Sequence, residues 1–334
     1  MDSGGSGLRV ALGTAGSDAP LATAACAEPV RTGPSGIDAA HLLEQLLPTV
    51  RNLLARHGGG SRIVAAAIGA AGMATLGDRL RAELPAALAD ALGVRRLALA
   101  ADAVTAYAGA VGQRPGAVVA AGTGLIALGT DLAQWRRADG WGHLLGDSGG
   151  GAWIGRAGLD AAMRAHDGRR GGSPALLARL EAVFGPAPGL PGLLYPRTDR
   201  PAVLASFAPE VATCAAHDPV AEGILRAAAG HIAEAAAAVC PKAGADDEEC
   251  EVALTGGLFR MGDPLLVPLR EELARQLPHA RAVPGSGDPL IGSLRIAQAL
   301  AGGGLLLPHH PTLLCIPLSG PDRHPGTGVT EQGS

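Results

Sequence analysis

The residues able to do chemistry fall in a few short segments. The densest is Gly140 to Gly155, GWGHLLGDSGGGAWIG, with two Trp, one His, one Asp and seven Gly in sixteen positions of a chain whose aromatics make up only 2%. Glycine is needed where backbone approaches a ligand or takes positive φ. Trp141 offers a flat apolar face, and Asp147 offers a carboxylate acceptor for hydroxyls. Those are the parts of a sugar-binding loop. Asp147 is equally placed to open the helix predicted by the pattern AWIGRAGLDAAMRA. Near the start, Asp2-Ser3-Gly4-Gly5-Ser6-Gly7 offers bare N–H groups and hydroxyls to a phosphate, with an Asp able to hold Mg²⁺ through water. The same composition also reads as a Gly/Ser tail.

Asp102 lies between a predicted strand, RRLALAA, and a predicted helix, where open α/β sheets bind ligands. A carboxylate there can take a proton from a substrate hydroxyl, and it can equally serve as a helix N-cap. Gly122-Thr123-Gly124 is the turn of a predicted hairpin, GAVVAAGTGLIALGTD, and its place between Asp102 and the 140–155 loop suits a second phosphate turn. Gly256-Gly257, in EVALTGGLFRMGDPLL, would let an adenine or ribose lie flat on the backbone, or would make a strand-to-helix turn that needs positive φ. Gly72 ends a small-residue turn after RIVAAAIGAAG where backbone can approach a substrate.

These positions need rigid elements behind them. LRVALGT and PLATAACAE are predicted strands joined by GSDAP. From Ile37 to His57, leucines and Val50 recur at helical spacing, and Gly58 closes the helix. RIVAAAIGAAG reads as a buried strand, and a helix from Asp78 to Leu92 carries Pro85, which implies a kink or break. From Ala152 to Cys240 the pattern is mostly helical, with a Pro/Gly-rich interruption at Gly185 to Pro201 that suits a loop or lid. Asp288-Pro289 opens a final helix. The tail from Gly302 onward is expected to be mobile.

Length and composition bound the rest. A chain of 334 residues suits two domains, and 47% apolar with 17% charged residues is a globular composition. A net charge of -4 leaves no basic footprint for nucleic acid. No apolar run reaches the roughly 18 to 20 residues of a membrane span, and MDSGGSGLRV lacks the features of a signal peptide. The expectation is a cytoplasmic protein with no membrane partner. The five Cys are scattered without metal-ligand spacing and are expected to be reduced.

Two phosphate turns, an Asp between them, a Trp/His/Asp loop and a late Gly-Gly turn occur here in the order that resembles the N-acetylglucosamine kinase family. That family lies in the BadF/BadG/BcrA/BcrD ATPase group of the actin, hexokinase and Hsp70-like ATPase superfamily. The resemblance runs from about Asp2 to Leu300, and GWGHLLGDSGGGAWIG is its most specific element. It implies an α/β fold of two RNase H-like (actin-like ATPase) domains with a nucleotide and sugar cleft between them. Residues 1–105 with the helix at 288–301 would form one domain, residues 106–287 with a helical insertion the other, and residues 302–334 a tail.

The resemblance also implies ATP-dependent phosphorylation of the 6-hydroxyl of an amino sugar, N-acetylglucosamine first, with ATP and Mg²⁺ as cofactors. Asp2, Gly4, Gly5 and Ser6 match the first phosphate motif, with Asp2 toward the metal, and Asp102 matches the base. Gly122, Thr123 and Gly124 match the second phosphate motif, Gly256 and Gly257 the adenosine motif, and Trp141, Gly142 and Asp147 the sugar contacts, with Gly72 added from its turn. His143 falls inside the signature with a bracing role, and a homodimer follows by analogy.

Three departures bear on this. Gly7 and Leu8 stand where the family has Lys or Thr, and Leu125 where it often has a small polar residue beside the sugar. Only Met1 precedes Asp2 where the family has a strand, so the expectation is a reading frame that starts upstream. Two other functions share the pattern. One is a non-catalytic sugar sensor or degenerate kinase. The other is a dehydratase-activating ATPase with an iron–sulfur cluster between subunits, which needs paired Cys near the domain junction.

Overall fold

The computed structural model describes residues 1–4, 7–17, 19–28, 30–33, 36–241 and 250–317. β1 (Asp2–Gly4), β2 (Gly7–Leu12), β3 (Ala22–Cys26), β4 (Thr32–Gly33) and β5 (Gly36–Ile37) precede α1 (Ala39–His57). β6 (Ala65–Ala70), α2 (Met73–Leu76), α3 (Asp78–Leu92), β7 (Arg96–Ala101) and α4 (Asp102–Ala110) follow. The second half opens with β8 (Gly116–Ala121), β9 (Leu125–Thr130) and β10 (Trp135–Asp139). Helices α5 (Gly151–His166), α6 (Pro174–Phe184), α7 (Leu190–Leu194), α8 (Arg200–Ser206), α9 (Ala208–Ala215) and α10 (Pro219–Val239) come next. β11 (Cys250–Thr255), α11 (Asp263–Gln276), β12 (Ala280–Pro284), α12 (Pro289–Gly302) and β13 (Leu314–Cys315) complete the order.

Two sheets organise the molecule. The first runs β13-β7-β6-β1-β2-β3 and the second β10-β9-β8-β11-β12. Setting β13 aside, both follow one plan: three antiparallel strands, then two that run parallel to the first of them. Strands buried on both faces read as unbroken apolar runs, and β6 (AAAIGA), β7 (RLALAA) and β8 (GAVVAA) do so at the sheet centres. α1 keeps the predicted amphipathic stripe, with Leu42, Leu46 and Leu53 buried and Asp38 capping the Ala40 and His41 N–H groups.

α4 is a single helix across the boundary expected at 105, and its small residues let it bury against the second sheet and α12. The crossing with α12 is so close that a Cβ on Gly292 would lie 1.8 Å from the Thr105 carbonyl oxygen.

Four expectations are corrected. Pro85 lies inside a continuous α3. The Gly185 to Pro201 interruption is largely helical, with Ala187 and Leu190 buried. Asp147 opens no helix, because α5 starts at Gly151 with Gly150 as its N-cap. The tail is packed as far as residue 317: Leu307, Leu313 and Leu314 are buried, and β13 pairs antiparallel with β7. Leucine burial outweighs the Pro and Gly around it. Residues 318–334 lie outside the described residues. No helix among the described residues is long and apolar enough to cross a membrane.

Candidate functional site

The parallel strands of the first sheet end together. Ser3 pairs with Ala70 and Ala70 with Ala101, so the end of β1, the Gly72 turn and Asp102 share one edge of the sheet. Gly72 takes φ 77° as the N-cap of α2, with open space on its side-chain face. Asp102 is the first residue of α4, and Ala101 is the N-cap, so the capping role is not taken. The Asp102 carboxylate accepts the neighbouring Ala103 N–H, at 2.9 Å. Its side chain is exposed to solvent, yet burial is the largest influence on it and raises its proton affinity. The Ala103 N–H works against that rise, the charge of Asp2 adds to it, and Arg137 opposes it.

The second sheet presents its own edge. β8 and β11 are parallel with Ala120 opposite Thr255, which puts the Gly122-Thr123-Gly124 and Gly256-Gly257 turns side by side. Gly256 has φ 105°, and a Cβ there would lie 2.2 Å from the Ala121 carbonyl oxygen, so only glycine fits. Gly257 is exposed, with open space where a side chain would start. The Gly122 and Thr123 carbonyls accept the Gly151 and Ala152 N–H groups at 2.9 and 2.8 Å, which ties the turn to the start of α5 and leaves Gly122 and Thr123 exposed.

The signature loop folds back over this turn. Asp147 Oδ1 accepts the Gly142 N–H at 3.0 Å, and a Cβ on Gly124 would sit 2.3 Å from Asp147 Oδ2. Sugar-loop and phosphate-turn candidates are therefore in contact. Burial raises the proton affinity of Asp147; the Gly142 N–H opposes the rise, and the charge of Asp139 adds to it. Trp141 is 60% exposed, with the Arg137 guanidinium 4.4 Å from its ring centroid. Trp153, the second Trp of the signature, packs edge-on against His231 and is structural.

Sequence reasoning missed three residues. Asp139 and Asp147 both take left-handed φ, 61° and 56°. The Asp139 carboxylate accepts the Asp147 N–H and, at 2.9 Å, the Ser148 N–H, which fixes the backbone behind Asp147. Arg137 donates to the Asp139 and Gly140 carbonyls at 3.1 and 2.5 Å. The dipeptide Asp139-Gly140 is a turn signal that pointed here. The third is Arg9, which donates to Asp2 Oδ2 from Nε and Nη2 at 3.2 and 2.5 Å and reaches Asp288 Oδ2 from Nη1 at 2.6 Å.

Asp2 thus has one oxygen held by a guanidinium. Among the described residues no three His, Cys, Asp or Glu side chains gather to hold a metal by themselves. The donor set suits an ion that brings its own phosphate and waters, as Mg²⁺ does. Gly4 ends β1, while Gly5 and Ser6 lie outside the described residues. A cavity of about 540 Å³ lies elsewhere, between strands of the first sheet and α1, and neither Asp102 nor Asp147 lines it.

Two sheets of one shared plan, with glycine turns and Asp102 at their strand ends, make a two-domain, actin-like ATPase fold. The chain belongs to the BadF/BadG/BcrA/BcrD ATPase family, whose model matches residues 2–291. It is similar to a solved structure named as an N-acetylglucosamine kinase from Chromobacterium violaceum, with 31% identity, a TM-score of 0.65 and coverage of 90% of this chain and 96% of that one. A structure named likewise from Porphyromonas gingivalis (16% identity, TM-score 0.62, 90% and 98% covered) shares the fold. So does the ROK hexokinase from Thermus thermophilus (16%, 0.51, 89% and 100%). A stretch of 69 residues is 41% identical to an N-acetylmuramic acid/N-acetylglucosamine kinase from Clostridium acetobutylicum, and it spans 20% of this chain and 22% of that protein.

Proposed function

We propose that this chain is an ATP-dependent kinase that phosphorylates the 6-hydroxyl of an amino sugar, N-acetylglucosamine first. The observation that carries the reading is Asp102, a carboxylate with raised proton affinity that caps no helix and lies within electrostatic reach of Arg137, which braces the Asp147 loop. Asp102 takes the proton of the sugar hydroxyl, the oxygen bonds to the γ-phosphorus, and the bond from that phosphorus to ADP breaks. Asp147 accepts a sugar hydroxyl, and Trp141 supplies an apolar face. Gly122 to Gly124 border the phosphates, and the open Gly257 backbone borders the adenosine. Asp2 would hold Mg²⁺ through its remaining oxygen and water, and that ion supplies charge neutralisation at the phosphates. The same reading divides the chain at residue 105, with α4 shared and 288–301 returning to the first domain.

The test is ADP release from MgATP with N-acetylglucosamine, with glucosamine and without sugar. Sugar-dependent release is expected; sugar binding with no release would leave a sensor. The dehydratase-activator reading has less behind it: Cys240 and Cys250 meet each other, but both are buried in the core of the second sheet and its helices.

The contact between Gly124 and Asp147 gives a selective probe. Gly124→Ala pushes the Asp147 carboxylate aside, and a displacement of that size costs about 10- to 100-fold in kcat/KM for the sugar. Steady-state kinetics with each substrate varied in turn would check this, and an unchanged sugar kcat/KM would separate the two motifs functionally.

A further inference from the structure

Two strands lead to the candidate site, and one segment holds both. β7 ends at Ala101, the residue before Asp102. β10 runs from Trp135 to Asp139, whose carboxylate accepts the Asp147 and Ser148 N–H groups. The two strands belong to different sheets. Residues 303–317, beyond the span of the family match, run from the end of α12 across both.

The contacts follow one another along the chain. Gln113, between α4 and β8, donates to the Gly304 carbonyl at 3.2 Å and accepts the Leu306 N–H at 2.7 Å. Trp135 Nε1 donates to the Pro308 carbonyl at 2.7 Å, and the same ring stands edge-on to Tyr107 of α4, with centroids 5.3 Å apart. The chain then turns at His310. Its Nδ1 accepts the Thr312 and Leu313 N–H groups, each at 3.2 Å, while His310 and Leu314 exchange backbone bonds at 2.9 and 3.1 Å. That turn delivers the Leu313 carbonyl to the Ala101 N–H at 2.8 Å and sets Leu314 opposite Ala100. Leu307, Leu313 and Leu314 bury in the same core cluster as Tyr107, which offsets the entropy lost by ordering the segment.

Ala101 is the N-cap of α4 and has no side chain able to cap it, so the strand ahead of the helix sets where Asp102 stands. Ala101 lies opposite Ala70 of β6 but gives its own N–H to Leu313. A base must lie within hydrogen-bond reach of the proton it takes, and a misplacement of about 1 Å can cost about 10²-fold.

We propose that residues 303–317 form a strap that fixes Asp102 relative to the sugar loop, with Trp135 and His310 as the positioning residues that hold its two ends. Neither residue touches substrate in the proposed reaction, and the inference rests on that reading.

The experiment uses Trp135→Phe, which keeps a ring against Tyr107 but removes the N–H that Pro308 accepts, and His310→Ala, which removes the acceptor that shapes the turn. His310→Asn returns an acceptor within reach of the N–H groups two and three residues on. Both disruptive variants are expected to speed hydrogen exchange at the Ala101 amide by about 3- to 10-fold, the effect of one lost hydrogen bond. Exchange at Val119, inside the second sheet, should stay within about twofold. They are also expected to lower kcat by about 3- to 10-fold with the sugar KM within about twofold, and His310→Asn should recover most of both losses. In an Asp102→Asn background, His310→Ala should change turnover by less than about twofold, because a strap acting through the base has nothing left to place. A parental kcat in both disruptive variants, an unmoved Ala101 amide, or a fully additive loss in the Asp102→Asn background overturns the strap alone. An unsubstituted chain that releases no ADP with sugar overturns the kinase reading, and the strap with it.

Discussion

Asp102→Asn is expected to keep the fold and sugar binding while lowering turnover by about 10²- to 10⁴-fold, the contribution of a positioned general base. Asn matches the shape and still accepts the Ala103 N–H. Only proton removal in the transition state is lost. Two further readouts separate this role from a structural one. The folded protein raises the pKa of Asp102, so its ionised form is the one that folding disfavours. Above that pKa the carboxylate works against stability, and Asp102→Asn should leave Tm unchanged or higher at neutral pH. The base must be ionised to act, so parental activity should fall as pH drops through a value above the ordinary carboxylate range. The residual activity of Asp102→Asn should lack that acid limb. Turnover near the parent's in a folded variant would remove Asp102 from the reaction.

Asp147→Ala is expected to raise the apparent KM for the sugar by about 10- to 100-fold, with a smaller change in kcat. A charged hydrogen bond to a hydroxyl contributes about 1.5–3 kcal/mol, and the change also releases the Gly142 N–H. Asp147→Asn divides those effects, because its carbonyl oxygen can still hold Gly142 while the charge is gone. A KM for Asp147→Asn between those of the parent and Asp147→Ala would assign part of the loss to the substrate and part to the loop. An unchanged KM in Asp147→Ala would reduce Asp147 to a loop brace. Asp139 acts one step further back: its carboxylate accepts the Asp147 and Ser148 N–H groups, so in the proposed function it is a positioning residue.

Several elements and helix starts were legible because their signals are local. Asp38 and Asp288 cap helices where the sequence placed helix starts, and each does so through a side chain two or three residues from its partner. The centres of both sheets were equally readable, since a strand buried on both faces must be apolar throughout. The motif order was enough to identify the family, which the match over residues 2–291 establishes.

Local pattern was silent or ambiguous wherever a residue's partner comes from elsewhere in the fold. Asp102 and Asp147 each matched a helix-capping position, and neither caps a helix. In both cases the deciding neighbours, Asp2 and Arg137 for one and Gly124 and Gly142 for the other, are brought by sheet pairing and loop closure. Arg9 joins Asp2 to Asp288 across the chain, a link of 279 positions on one side that no short-range pattern encodes.

By itself the sequence determined the strands at the sheet centres, the helices that Asp38 and Asp288 cap and the order of the glycine turns, because propensity, period and capping act within a few residues. Tertiary structure alone decided the partners of each carboxylate: a neighbouring N–H for Asp102, a loop N–H for Asp147 and a guanidinium for Asp2. Those outcomes depend on desolvation and on hydrogen-bond partners that only the folded chain brings within reach.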